Sequence, residues 1–264
     1  MKIAVNAKEL IVDGACAFVP TMGALHAGHA SLIKKAREYS DTVVVSIFIN
    51  PLQFENKDDL AKYPRTPEFD IELASQAGAT HLWLPTVDEI YPGEVQKISA
   101  GALGDIYEGV KRPGHFDGVL TVVNRLFELV KPQWAIFGEK DFQQLTLIKS
   151  MKSDVEVIGA PTIRDTDGLA LSSRNVRLSD PKAALVIYRA LLAASKEKSI
   201  DSAREVMQGV LASEAAFTLD YAEIINESNF EKASQSDESK RAIIAGWVNG
   251  IRLIDNMPMN GGAQ

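Results

Sequence analysis

Residues 15 to 49 contain a complete strand, helix, strand unit, and this unit restricts the fold more than any other feature. An apolar run from Ala15 to Pro20 enters a glycine-bearing turn, a helix-period segment occupies roughly 29 to 39, and a second apolar run spans Thr42 to Ile49. Two buried strands joined through one amphipathic helix lie parallel in a sheet, because a parallel pair needs a crossover of a dozen or more residues. The pattern repeats. Further apolar runs at His81 to Leu84, Trp134 to Phe137 and Val155 to Ile158 alternate with helical segments near 67 to 77, 118 to 130 and 141 to 151. Strands alternating with helices predict an α/β chain whose sheet is parallel and doubly wound, of the Rossmann-like kind.

After Pro161 the pattern changes. Two helical segments fill 180 to 216, the first opened by Ser179-Asp180-Pro181, which joins capping residues to a proline in the first turn. Leu219 to Ile225, Ala242 to Val248 and Arg252 to Ile254 then read as strands, and Asn249-Gly250 predicts a two-residue hairpin turn with positive φ at both positions. We expect residues 1–162 to form the first domain and 163–264 a smaller C-terminal α+β domain. The polar 226 to 240 stretch reads as an exposed loop.

Composition narrows the function. At 264 residues, 46% hydrophobic and 24% charged, the chain is long enough to bury a full core. A formal net charge of −7 argues against a nucleic-acid partner, so an anionic ligand must be met by local donors. The single cysteine, Cys16, has no intramolecular partner and sits in an apolar stretch, where core packing is its expected role. Glu9 and Asp13 interrupt the N-terminal region where a signal peptide needs an unbroken apolar run, and no stretch reaches the length of a membrane span. A soluble cytoplasmic protein with no membrane partner is the expectation.

Two of the four histidines lie in His26-Ala27-Gly28-His29, between the first strand and its helix. A helix N-terminus offers unpaired N–H groups and partial positive charge, glycine lets the backbone approach, and imidazoles add donors, so this segment suits phosphate. Asn50-Pro51-Leu52-Gln53-Phe54 follows the second strand, with amides that both donate and accept. Gly138-Glu139-Lys140-Asp141-Phe142-Gln143-Gln144 follows another strand; its lysine suits phosphate charge, and its aspartate a helix cap, a ribose or a metal. Arg112-Pro113-Gly114-His115-Phe116-Asp117-Gly118-Val119 carries turn chemistry and a third histidine, for which a structural role competes with a catalytic one. Ser172-Ser173-Arg174 forms a compact donor cluster within 167 to 175, on a loop that would act as a gate if it closed on bound triphosphate. The chain has no Gly-x-x-x-x-Gly-Lys-Ser/Thr loop and no His-Glu-x-x-His run.

Taken in order, the segments Pro20 to His29, Asn50 to Phe54, Arg112 to Val119, Gly138 to Gln144 and Leu169 to Asn175 resemble those of the pantothenate synthetase family, the pantoate and β-alanine ligases. Arg252-Leu253-Ile254-Asp255-Asn256 resembles the family's last strand. The resemblance implies that pantoate is activated by ATP as pantoyl adenylate with release of pyrophosphate, after which β-alanine displaces AMP. It implies that Met22, Gly23, Ala24, Leu25, His26, Ala27, Gly28 and His29 line the ATP phosphates, with His29 as donor and His26 beside it. Gly138, Glu139, Lys140, Asp141, Ile163, Leu171, Ser172, Ser173 and Arg174 would complete the nucleotide site, Lys140 and Arg174 offsetting triphosphate charge. Gln53 and Gln144 would hold pantoate, with Gln53 also near β-alanine. Mg²⁺ would bridge phosphates, its protein ligands unassigned, and the family's homodimer and C-terminal lid are implied too. Shortness for the family and Trp247-Val248-Asn249-Gly250-Ile251 are the departures. The alternative is a nucleotidyltransferase of the same His-x-Gly-His superfamily acting on a phosphorylated acceptor. A class I aminoacyl-tRNA synthetase shares the histidine motif but needs a longer chain and a basic tRNA-binding module, and a sensor without turnover would bind ATP and form no AMP.

Overall fold

The computed structural model describes residues 1–54 and 57–259. Two compact units divide the chain, Met1–Ile163 and a second beginning at Arg164.

In the first unit the elements run β1 (Lys2–Ala4), β2 (Ala17–Thr21), α1 (Ala27–Arg37), β3 (Val43–Ile47), α2 (Lys57–Ala61), α3 (Pro67–Ala77), β4 (His81–Trp83), α4 (Val87–Ile90), α5 (Glu108–Lys111), α6 (His115–Val130), β5 (Trp134–Gly138), α7 (Phe142–Lys149) and β6 (Glu156–Ala160). All six strands pair parallel in the order β1-β4-β3-β2-β5-β6. Both faces are covered, which is why the strands read as apolar runs without alternation. Phe18, Val44 and Trp83 face one core with α6, whose Phe116, Val119, Leu126 and Phe127 are buried; Val19, Val45 and Leu82 face the other with Ile33 and Ala36 of α1. Cys16 is buried in the first of these cores, where burial pushes its thiol up to about 11, so it packs as a small apolar group. Strand order reverses between β2 and β5, and ligands of such sheets bind beyond the strands' carboxyl ends at that reversal.

The second unit contains α8 (Pro181–Ala194), α9 (Ile200–Ala212) and an antiparallel sheet β7 (Phe217–Asn226), β8 (Lys240–Val248), β9 (Ile251–Pro258). Asp180 caps α8, its Oδ1 accepting from the backbone N–H of Lys182 at 3.1 Å and of Ala183 at 3.2 Å. Asn249 (φ 49°) and Gly250 (φ 78°) make the expected hairpin turn. Arg164 closes the start of the unit onto β9, donating from both terminal nitrogens to Asp255 and stacking 5.0 Å above the Tyr188 ring.

Several expectations shift. Helix α1 begins at Ala27 and α6 at His115, earlier than the apolar periodicity predicts, because both open on histidines and glycines. The 226 to 240 stretch is more than an exposed loop: Phe230 and Ala233 are buried and Lys232 bridges back to Ile225. Strand β1 is three residues long and gave no signal.

Candidate active site

The turn after β2 is held in shape through its own backbone amides, which donate into the protein. Thr21 at the strand end donates its hydroxyl to Ser46 O at 2.7 Å and accepts from Gly23 N–H at 3.3 Å. Gly23 (φ 82°) must be glycine twice over: a Cβ there is strained and would meet Asp70 Oδ2 and Ile47 Cγ2 at 3.0 Å. Ala24 also has positive φ, 50°. What compensates is Asp70 on α3, a 2% exposed carboxylate that accepts from Ala24 N–H at 3.0 Å, Leu25 N–H at 2.8 Å and the Thr66 hydroxyl at 3.0 Å. Leu25, 3% exposed, then anchors the turn in the second apolar core.

His26 is the N-cap of α1. Its Nδ1 accepts from Gly28 N–H at 3.1 Å, and the Nδ1 of His29 accepts from His26 N–H at 3.3 Å, so two imidazoles do the work of the usual hydroxyl and carboxylate pair. An accepting Nδ1 carries no proton, which fixes both neutral rings as Nε2–H tautomers. The rings lie 4.2 Å apart and tilted by 51°. Burial, then the neighbouring His26, pulls His29 down to about 3; burial and Lys140 lower His26. At neutral pH the pair therefore presents two N–H donors and no charge. No acidic side chain occupies the first turn of α1, while Lys34, Lys35 and Arg37 occupy its last, leaving the N-terminal dipole uncompensated for an anion.

Gly138 ends β5, and Glu139–Asp141 forms a 3-10 turn leading into α7. Lys140 and Asp141 lie close enough to His26 and His29 to act on their charge, Lys140 Nζ standing 3.4 Å from Asp141 Oδ1. Across the sheet, Pro51–Gln53 is a 3-10 turn at the carboxyl end of β3. Asn50 organises it: its Oδ1 accepts from Leu52 N–H at 3.2 Å and the Tyr91 hydroxyl at 2.8 Å, and its Nδ2 donates to Gln53 Oε1 and Gly118 O, both at 3.0 Å. With Oε1 engaged, Gln53 offers the N–H side of its amide. On α7 two adjacent glutamines differ. Gln143 is buried, its side chain accepting from Glu108 N–H and donating to Leu103 O and Ile106 O, whereas the side chain of half-buried Gln144 makes no hydrogen bond to the described residues.

The first unit thus brings Met22 to His29, Gly138 to Asp141, Gln53 and Gln144 to the carboxyl ends of β2, β3 and β5. Ile163 ends that unit, half-buried after β6. Leu171, Ser172, Ser173 and Arg174 belong to the second unit, where Ser172 Oγ accepts from Arg174 N–H at 3.3 Å. Among the described residues, no group of three histidine, cysteine or acidic side chains is arranged to hold a metal, and no helix is long and apolar enough to cross a membrane. Asp70 and Asn50 are the residues that reading the sequence passed over or undervalued; an aspartate in a helix's first turn carries no local sign that it clamps a loop 45 residues away.

Known proteins match this arrangement. The family model for pantoate-beta-alanine ligase matches residues 2–258. A pantothenate synthetase of Acidothermus cellulolyticus is 46% identical over 96% of this chain and 88% of its own length. The pantothenate synthetase of Thermus thermophilus has a TM-score of 0.94 at 42% identity, covering 98% of this chain and all of that one. A Francisella tularensis pantoate-beta-alanine ligase, complexed with beta-gamma ATP and beta-alanine, has a TM-score of 0.81 at 36% identity over 99% of both chains. The chain belongs to the pantoate-beta-alanine ligase family.

Proposed function

We propose that this chain joins pantoate to β-alanine through a pantoyl adenylate, releasing pyrophosphate in the first step and AMP in the second. A pantoate carboxylate oxygen attacks the α-phosphorus of ATP and the bond to the bridging oxygen breaks, so negative charge grows on the departing pyrophosphate. The β-alanine amine then attacks the acyl carbon, loses its proton, and expels AMP as the carbon–oxygen bond breaks. The observation that carries this reading is the pair of Nε2–H edges at the N-terminus of α1. They donate to phosphate oxygens as charge builds there, an arrangement in which one lost donor typically costs about 10²- to 10³-fold in rate.

In this reading the Nε2–H edges of His26 and His29 take the triphosphate beside the Met22 to Gly28 turn, whose amides at Gly23, Ala24, Leu25, His26 and Gly28 hold the turn in shape, with Lys140 adding a positive charge. The Gln53 amide and Gln144 take pantoate, and Gln53 stands nearest β-alanine. The ATP and beta-alanine named for the Francisella relative support the nucleotide and amine assignments. Magnesium fits the donor set only with the nucleotide, since such ions are held by one or two carboxylates together with substrate phosphates; Asp141, half-exposed, is the carboxylate in place. When bound it would neutralise phosphate charge. We extend the proposal to a cytoplasmic homodimer, which sedimentation would show as twice the 28.8 kDa chain.

The test is product release from ATP and Mg²⁺ with pantoate, with and without β-alanine. Multiple turnovers of AMP and pyrophosphate only with both acids present support the ligase. Pyrophosphate release with a phosphorylated acceptor, AMP staying attached to it, would replace this reading with a nucleotidyltransferase.

A further inference from the structure

The chemistry above leaves His115 unused, yet the residue is 5% exposed and both its ring nitrogens are engaged inside the protein. A carbonyl oxygen only accepts, so Nδ1–H donates to Gln53 O at 2.9 Å. Arginine only donates, so Nε2 accepts from Arg112 Nη1 at 2.9 Å. The second terminal nitrogen of Arg112 reaches the same Gln53 carbonyl at 3.5 Å. Burial and the Arg112 charge push His115 down to about 4, so the ring keeps this polarity across the neutral range.

One helical turn further, Gly118 explains why the seat is close. A Cβ there would come within 2.4 Å of Leu52 O and 2.9 Å of Gln53 N. The turn bearing Gln53 is therefore fixed to α6 in three ways: its carbonyl by His115, its backbone by contact with Gly118, and its side chain by Asn50, which bridges Gly118 O and Gln53 Oε1. Arg112, His115 and Gly118 come from one segment of sequence and converge on one residue.

We propose that His115, oriented by Arg112, is a positioning residue for the acid substrate: by holding the Gln53 carbonyl it sets the direction in which the Gln53 amide donates to pantoate. This rests on the reading of Gln53 as a pantoate donor. His115 itself touches only protein, so its removal acts on pantoate and spares the nucleotide.

The experiment is a kinetic cycle measuring KM for pantoate and for ATP in wild type, Gln53→Ala, His115→Phe, His115→Asn and the Gln53→Ala, His115→Phe double variant. Loss of one hydrogen bond predicts that Gln53→Ala and His115→Phe each raise the pantoate KM about tenfold, leaving the ATP KM within about twofold. The double variant should be no weaker than Gln53→Ala, since the histidine acts through that side chain. His115→Asn, whose amide N–H replaces Nδ1–H, should stay within about threefold of wild type.

If Gln53→Ala leaves the pantoate KM unchanged, the assignment of Gln53 falls and the proposal with it. If Gln53→Ala raises it and His115→Phe does not, the positioning role alone falls. It falls equally if the two effects multiply, if His115→Asn is as weak as His115→Phe, or if ATP suffers as much as pantoate. Should His115→Phe fail to fold, Arg112→Met enters the same cycle, with about a threefold rise that vanishes in the Gln53→Ala background. Multiplied effects there overturn the proposal.

Discussion

His26 and His29 engage the backbone through Nδ1 and leave Nε2–H without a partner among the described residues, whereas His115 has both nitrogens committed to Gln53 and Arg112. The three rings share a lowered pKa caused first by burial, so acidity does not tell them apart. Hydrogen-bond direction does. A histidine whose backbone contact fixes a free N–H edge at a helix N-terminus can act on a ligand; one whose two nitrogens are satisfied within the fold can act only on the residue it holds.

The strongest way to break that distinction is to remove the His29 edge. His29→Ala should slow single-turnover formation of the adenylate by about 10²- to 10³-fold while ATP still binds measurably. His29→Gln, whose amide nitrogen replaces Nε2, should keep more of the rate than His29→Asn, which replaces only Nδ1. Equal rates in the two would mean that the free edge is not what matters. Since His29 sits near 3, no rate change between pH 6 and 8 should trace to it in pH profiles of wild type against His29→Gln.

Acid stability comes next in size and concerns the buried ring. Unfolded, His115 binds a proton as pH falls below 6.5; folded, it resists until about 4, with Arg112 opposing the proton and Glu108 and Asp141 favouring it. More protons bind to the unfolded chain in that window, so stability is full above about pH 6.5 and lost as pH falls toward 4, by on the order of 3 kcal/mol from this group. Urea unfolding of wild type and His115→Asn at pH 7 and pH 4.5 checks the sign. Parallel losses in the two proteins would remove His115 as the source.

A smaller effect is expected at Asp70, which supports the free-edged pair from behind. Asp70→Asn replaces one acceptor oxygen with a donor facing a backbone N–H, and should cost about 1–3 kcal/mol of stability and a severalfold loss of adenylation rate. If urea unfolding shows the stability loss and stopped-flow shows no change in rate, the turn does not need its clamp for chemistry.

These sites were unequally legible in the sequence. The parallel sheet was readable because Val43-Val44-Val45 and its fellow strands are buried on both faces and must be continuously apolar. His26 and His29 were readable because cap, glycine and donor pattern all fall within four residues. Their tautomers were not, since these depend on which amide each Nδ1 meets. Asp70 reaches across 45 residues and His115 across 62, and neither partner leaves a mark on the local pattern. Gly118 read as turn chemistry although it lies inside α6, where its missing Cβ serves the neighbouring turn.

His81, the fourth histidine, should show the smallest effect and sharpens the rule. It begins β4, at the opposite end of the strands from the site, with Nδ1 2.9 Å from the Thr80 hydroxyl. Its buried Nε2 makes no well-formed hydrogen bond, although the Ile11 backbone is near enough to favour a proton on the ring. An uncommitted Nε2 was the mark of His26 and His29, yet here it faces no helix N-terminus and no opening at the strands' carboxyl ends. Position must therefore outrank the free nitrogen. His81→Phe keeps the bulk and removes a buried polar atom without a good partner, so thermal unfolding should change by no more than about 0.5 kcal/mol. Its turnover and its pantoate KM should remain within about twofold of wild type, a span that separates it from the loss expected at His29. A rate loss at His81 as large as that of His29→Ala would show that a free ring nitrogen matters wherever it lies, and would undo the comparison.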